Sequence, residues 1–225
     1  MIVAVVPAAG IGKRFGSGAN KPFLHLCGKP LIIWSLETLH SVNAVREIIP
    51  VLKEEDMEQG RKIFESYGFS KIKRISPGGK ERQDSVYNGL KLVEDKDCMV
   101  IIHDGVRPLI GKDLVEKLID ELKDFDGAVL SVPVKDTIKE AEDEIVKKTL
   151  KRDSLWAIQT PQIFSFRTIS GAYEKAIEEG FYATDDAALV EKYGGNIKIV
   201  MGSYRNIKIT TPEDMAIAEF LLTKK

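Results

Sequence analysis

The segment VVPAAGIGKRFGSGANKPFLHLCGKPLI, Val5 to Ile32, continues an apolar strand-like run (Ile2 to Val6) and leads into a helix-like apolar pattern near Pro30. Strand, glycine-rich loop and helix in that order form the layout of a phosphate site, because glycine lets backbone N–H groups approach an anion closely. Spacing excludes the two best-known versions. No Gly-Lys-Ser/Thr triplet occurs, so the loop is not a P-loop. Gly10, Gly12 and Gly16 carry one residue too many for the dinucleotide fingerprint, and the loop runs on through Gly18 and Asn20. Arg14 and Lys21 add a planar fork and a point charge, suited to several phosphate oxygens rather than one.

Outward from this loop, strand patterns fall at Ile2 to Val6, Glu47 to Leu52, Ile72 to Ile75, Met99 to His103, Ala128 to Val134, Ile197 to Val200 and Ile207 to Thr210. Helical patterns lie between them, near Leu31 to Leu39, Glu54 to Tyr67, Asp84 to Val93, Lys112 to Leu122, Phe166 to Glu179, Asp185 to Tyr193 and Pro212 to Leu222. This alternation predicts an α/β fold, a mostly parallel sheet with helices on both faces. The charged stretch KDTIKEAEDEIVKKTLK, Lys135 to Lys151, interrupts it. It reads equally well as a solvated hairpin or loop and as an arm reaching over a partner subunit.

Composition narrows the function classes. A 225-residue chain that is 44% hydrophobic and 30% charged suits one compact domain, and a formal net charge of -1 provides no global field for nucleic acid or an anionic membrane. Cys27 and Cys98 are too few for a disulfide framework and form no zinc spacing, so both read as reduced packing residues. The N-terminal residues show no signal-peptide pattern, and a cytoplasmic location is expected.

In open α/β sheets the ligand sits beyond the carboxyl ends of the strands. That rule singles out the glycine loop, SPGGKERQDS (Ser76 to Ser85) and HDGVRP (His103 to Pro108). Asp104, ending an apolar strand, reads either as a turn cap or as a carboxylate for hydrated magnesium opposite a triphosphate. Arg107 would add an anion contact, and His103 reads as a packing residue. Thr137, Arg152, Thr160, Thr184 and Lys208 are more ordinary singly than jointly. No general base stands out, which suits a phosphate nucleophile that is already a dianion near neutral pH.

Eight motifs in order, PAAGIGKRF, NKPF, GGKERQDSV, HDGVRP, PVKDT, LWAIQTPQ, TDDAALVE and NIKITTPED, resemble the 2-C-methyl-D-erythritol 4-phosphate cytidylyltransferases. The resemblance implies a Rossmann-like domain spanning residues 1–225, with residues 135–152 as a protruding β-arm that joins a homodimer. It also implies Mg2+-dependent transfer of CMP from CTP to a sugar-alcohol phosphate. Carried over by motif, Arg14, Lys21, Asp104 and Lys208 would be catalytic, with Asp104 also orienting the metal. Ala8, Ala9, Gly10, Gly12, Gly79 and Ser85 would line the nucleotide site, and Arg107, Thr137, Arg152, Thr160 and Thr184 would bind the sugar phosphate. Lys80, Gly105 with Val106 in HDGV, and the lack of an Asp before Arg152 in LKRDSLW depart from the usual pattern; the first would alter contacts around cytosine and the second the floor of the substrate pocket. A ribitol 5-phosphate or related polyol-phosphate cytidylyltransferase is the runner-up. A dinucleotide-binding oxidoreductase and a non-catalytic nucleotide-binding module are the alternatives from other classes.

Overall fold

The structure is a computed structural model that describes residues 1–10 and 21–224, so Gly12, Arg14, Gly16, Gly18 and Asn20 lie outside the described residues. Strand β1 (Ile2–Pro7) is buried at every position. Because both faces of the sheet are covered, its side chains alternate between two cores rather than between core and water. Ala4 and Val6 enter one core, Val3 and Val5 the other. A short hairpin, β2 (His25–Leu26) with β3 (Lys29–Pro30), turns through Cys27 and Gly28 at φ 49° and 82°. Cys27 is exposed on that turn, which corrects its reading as a packing residue, whereas Cys98 is buried as expected.

The alternation then proceeds through α1 (Leu31–Ser41), β4 (Val45–Leu52), α2 (Met57–Ser66), β5 (Ser76–Pro77), α3 (Arg82–Lys91), β6 (Met99–Ile102), α4 (Lys112–Asp120) and β7 (Gly127–Pro133). The charged stretch forms an antiparallel hairpin, β8 (Lys139–Glu142) with β9 (Ile145–Thr149), exposed along its whole length. Beyond it come β10 (Trp156–Ser165), α5 (Phe166–Glu178), α6 (Asp186–Lys192), β11 (Ile197–Met201) and α7 (Pro212–Thr223). Helix starts are written locally: Ser165 accepts from Thr168 N–H at 3.1 Å, Asp185 from Ala188 N–H at 3.0 Å, and Thr211 with Asp214 forms a capping box around Pro212.

Seven strands of the described chain form one sheet in the order β11-β7-β10-β6-β1-β4-β5. All pairings are parallel except those of β10, which is antiparallel to both β6 and β7. The chain leaves β1 for β4 on one side and later places β6 on the other, so the order reverses between β1 and β6 and opens a crevice at their carboxyl ends. Ile32, Leu36, Phe64, Val115 and Leu118 from α1, α2 and α4 fill one core, and Val86, Leu90, Ile169, Tyr173 and Leu189 from α3, α5 and α6 fill the other. Each such buried side chain contributes roughly 1.5–3 kcal/mol relative to exposure.

Three elements differ from the sequence reading. Ile72 and Ile75 pack into the first core, but the ladder to β4 begins only at Ser76. Ile207 to Thr210 is irregular; Ile209 donates its N–H to Val106 O at 2.9 Å and packs against Leu26, Leu31 and Ala218 without joining the sheet. Strand β10 was not anticipated, because two glutamines and Pro161 obscure its apolar pattern. Gln159 and Gln162 are nonetheless buried and hydrogen-bonded.

Helix α3 crosses β1 and β4 at Gly89, where a Cβ would lie 2.5 Å from Val5 Cγ1 and 3.0 Å from Val51 Cγ2. Alanine gains about 1 kcal/mol of helix propensity, but overpacking a rigid core costs about 1–3 kcal/mol. Gly89→Ala is therefore expected to lower urea stability by about 1 kcal/mol; a more stable variant would show that α3 lifts freely from the sheet.

Candidate active site

The crevice is built from the ends of β1 and β6. Ala8 donates its N–H to Val51 O at 2.8 Å and so stays in the sheet one residue past β1 before Ala9 and Gly10 turn out. Beyond β6, His103 N–H reaches Val5 O at 3.0 Å and Gly105 N–H reaches Pro7 O at 3.1 Å, which fixes Asp104 between them. His103 is fully buried, with Nε2 3.3 Å from Arg107 O and Nδ1 3.2 Å from Thr160 Oγ1. A carbonyl only accepts, so Nε2 carries the proton and Nδ1 accepts from the Thr160 hydroxyl. That hydroxyl oxygen in turn accepts from Asp104 N–H at 3.0 Å. Burial pushes the imidazole down to about 4, so His103 is a neutral strut, in line with its reading as a packing residue.

Ala8, Ala9, Gly10, Lys21, Gly79, Ser85, Asp104 and Lys208 line one cleft of about 810 Å³. Arg107, Thr160 and Thr184 line a second of about 280 Å³, which shares Arg82, Asp104 and Lys208 with the first. Ala8, Ala9, Gly10, Gly79 and Ser85, anticipated for the nucleotide, and Arg107, Thr160 and Thr184, anticipated for the sugar phosphate, thus fall in two adjoining spaces with a common charged wall. Lys21 is buried in a single 3₁₀ turn, Lys21–Phe23. Ser85 Oγ accepts from Gly79 N–H at 3.0 Å and donates to Glu81 O at 3.1 Å, holding the loop before α3 against the cleft. Lys80 lines the same cleft. Gly105 does not floor the substrate pocket: a Cβ there would face Ala8, Val6 and Ile32 at 3.1–3.3 Å, on the core side.

Asp104 is the hub of the shared wall. It is 5% exposed; Oδ1 accepts from Arg82 Nε at 2.9 Å, while Oδ2 lies 2.8 Å from Lys208 Nζ and 3.7 Å from Arg107 Nε. Burial alone would raise its pKa, but Arg82, Lys208 and Arg107 pull it well below the usual carboxylate range. A carboxylate held ionised in this way gathers three cations where the two clefts meet. Arg107 also donates through Nη1 to Asn206 O at 2.8 Å. Sequence reasoning missed Arg82 and Asp186. Both stand inside quoted motifs, GGKERQDSV and TDDAALVE, and the available signal was an arginine at the first position of a helix that follows a glycine loop.

Thr137 and Arg152 lie elsewhere. Both are exposed at the root of the β8–β9 hairpin, where Arg152 Nη1 donates to Lys135 O at 3.0 Å. With Pro133, Lys135, Asp153 and Trp156, Arg152 lines a separate depression of about 530 Å³. Arg14 and Gly12 are outside the described residues.

A reversed-order α/β sheet with a cationic double cleft at its switch point defines a Rossmann-like nucleotidyltransferase. The family model described as 2-C-methyl-D-erythritol 4-phosphate cytidylyltransferase matches residues 2–224, and the chain belongs to that family. Relatives bearing that name include one from Geotalea uraniireducens, 46% identical over 224 residues and covering 98% of this chain and 96% of its own length. Another, from Caldanaerobacter subterraneus, is 45% identical over 226 residues with 99% of both chains covered. The crystal structure of 4-diphosphocytidyl-2C-methyl-D-erythritol synthase from Anaerococcus prevotii superposes with a TM-score of 0.88 at 34% identity, covering 99% of this chain and 96% of that one.

The neutral state of His103 sets a pH signature. Below its ordinary value of 6.5 the unfolded chain takes up a proton that the native site refuses down to about 4. Stability therefore falls as pH drops through that window, by up to about 3 kcal/mol. The contribution of Asp104 is lost only further down, below the ordinary carboxylate range. Urea unfolding of wild type and His103→Gln should show their stability difference shrinking from pH 7 to pH 4.5, whereas a constant difference would mean that the imidazole takes up its proton in the fold as readily as in the unfolded chain.

Proposed function

We propose that the chain transfers CMP from CTP to 2-C-methyl-D-erythritol 4-phosphate, giving 4-diphosphocytidyl-2-C-methyl-D-erythritol and pyrophosphate in non-mevalonate isoprenoid precursor synthesis. The observation that carries this reading is the pair of adjoining clefts meeting at Asp104, Lys208 and Arg82. One space suits a nucleoside triphosphate and the other a small phosphate. Membership of the family supports it further and displaces the oxidoreductase alternative.

A phosphate monoester with a second pKa of roughly 6 needs no base at neutral pH. An oxygen of the sugar phosphate attacks the α-phosphorus of CTP; the new P–O bond forms as the bond to pyrophosphate breaks, and the electron pair leaves on pyrophosphate. The protein positions the two anions and neutralises their charge. Lys208, held by Asp104 at the boundary of the two clefts, faces the α-phosphate. Lys21 and Arg14 hold the CTP phosphates and stabilise the pentacoordinate transition state, Ala8, Ala9, Gly10, Gly12, Gly79 and Ser85 receive the nucleotide, and Thr160 and Thr184 contact the sugar phosphate. Arg107 lines the small cleft and would meet a phosphate oxygen of the sugar substrate there.

The donor set also bears on the metal. Among the described residues no three His, Cys, Asp or Glu side chains converge on one point, and both oxygens of Asp104 already face cations. This fits a hard divalent ion that arrives on the triphosphate and keeps mainly phosphate and water ligands, with Asp104 as the carboxylate beside it. Mg2+ bound there would lower the charge that the incoming dianion meets.

The single domain of residues 1–225 carries residues 135–152 as an arm inserted between β7 and β10. In a homodimer the arm of one copy delivers Thr137 and Arg152 to the small cleft of the other. Exposed Ile138, Ile145 and Val146 on the hairpin support a covering partner. Among the described residues no helix is long and apolar enough to cross a membrane. The reaction is assigned to the cytoplasm, where CTP is available, with no nucleic-acid or membrane partner.

The direct test is magnesium-dependent pyrophosphate release from CTP, with methylerythritol 4-phosphate and ribitol 5-phosphate in parallel and ATP, UTP and GTP as controls. Preference for CTP with methylerythritol phosphate is expected; preference for ribitol phosphate would move the chain to the polyol branch, and no release with any pair would overturn the transferase reading. The crossed arm is tested by mixing two inactive variants, Arg152→Ala and Asp104→Asn. Mixed dimers keep one intact site, so about a quarter of wild-type activity should return after subunit exchange; no recovery would place the arm in its own subunit.

A further inference from the structure

Asp186 lines neither cleft, is fully buried, and still faces the site through one side chain. The Arg82 guanidinium uses all three of its nitrogens: Nη1 and Nη2 donate to Asp186 Oδ1 and Oδ2 at 3.0 and 2.7 Å, and Nε donates to Asp104 Oδ1 at 2.9 Å. A fork paired in this bidentate way has no rotational freedom left. Asp186 is itself fixed from behind by the hydroxyl of Tyr173, which is 1% exposed. Its backbone is fixed as well, since Asp185 caps α6 and Gln162 of β10 grips both Asp185 Oδ2, at 2.7 Å, and Ala187 N–H, at 3.0 Å.

Resting on the reading of the site given above, we propose that Asp186 is a positioning residue that acts through Arg82. By anchoring the fork, it confines Arg82 to Asp104 Oδ1 and leaves Oδ2 to gather Lys208 and Arg107 at the boundary of the two clefts. Without the anchor, Arg82 carries two unpaired N–H arms beside an incoming phosphate. It would swing toward Asp104 Oδ2 or the phosphate and displace Lys208 from its 2.8 Å contact. Arg82, Asp104 and Lys208 border the larger cleft as well, but Ala9, Gly79 and Ser85 make none of these contacts, so the loss in nucleotide binding is the smaller one. The effect falls on turnover, where a displacement of about 1 Å can cost on the order of 100-fold.

The test compares kcat and KM in Asp186→Asn, Arg82→Lys and the double variant. Asparagine is close in size and keeps an acceptor for Tyr173, while lysine keeps the charge of Arg82 but cannot bridge two carboxylates. Each single variant is expected to lose about 10- to 100-fold in kcat, with KM for CTP within about 3-fold of wild type. In the Arg82→Lys background, adding Asp186→Asn should cost nothing more in kcat, because the two act as a unit. Additive losses in the double variant, or wild-type kcat in a folded Asp186→Asn, would overturn the proposal. Should Asp186→Asn fail to fold, wild-type kcat in Arg82→Lys would overturn it equally. Inactive wild type would instead overturn the reading of the site, and this inference with it.

Discussion

A carboxylate placed among three cations at the end of a buried strand constrains everything around it. Asp104 is held in place by backbone bonds from its neighbours to Val5 and Pro7, by the Thr160 hydroxyl on its N–H, and by Arg82, Lys208 and Arg107 on its oxygens. These partners come from β1, from β10 and from the three segments that follow β5, β6 and β11, so the sheet must deliver them all to one edge. An ion cluster of this kind is expensive to desolvate and is weak evidence for stability. Its effect is to fix three cations relative to one another where the two clefts meet.

The two cores explain why that edge is rigid. Strands β1 and β6 bury both faces, and each core is closed by its own trio of helices, so neither strand can shift without disturbing both layers. The switch in strand order then opens a crevice that no side chain of the core fills. Rigidity of the walls and openness of the crevice thus have the same origin in topology.

Much of this could be read from the residues. The parallel α/β sheet followed from apolar runs at Ile2, Glu47 and Met99 separated by helical patterns, and the cleft followed from what stands after those runs. What escaped reading depended on distant contacts. Strand β10 is polar at Gln159 and Gln162 because those amides bond to Ser203, Asp185 and Ala187, partners that no local pattern reveals. Ile207 to Thr210 has strand-like residues but packs on the β2–β3 hairpin and α7 instead. Arg82 and Asp186, 104 residues apart, look like ordinary helix-start charges until the fold brings them to 2.7 Å. Cys27 was misjudged because its turn, not its apolarity, decides its exposure.

The hairpin between β7 and β10 leaves and re-enters the sheet through a narrow neck. Val134 N–H meets Leu155 O at 3.1 Å, and Arg152 reaches back to Lys135 O. Closing a loop at such a neck costs little more when the loop grows, since the penalty rises only with the logarithm of its length. The register of β7 against β10 is set below the neck and is indifferent to what lies above it. Changes in length at the tip of the hairpin, between Lys139 and Thr149, can therefore be absorbed without disturbing the sheet, so long as Thr137 and Arg152 at its root are kept.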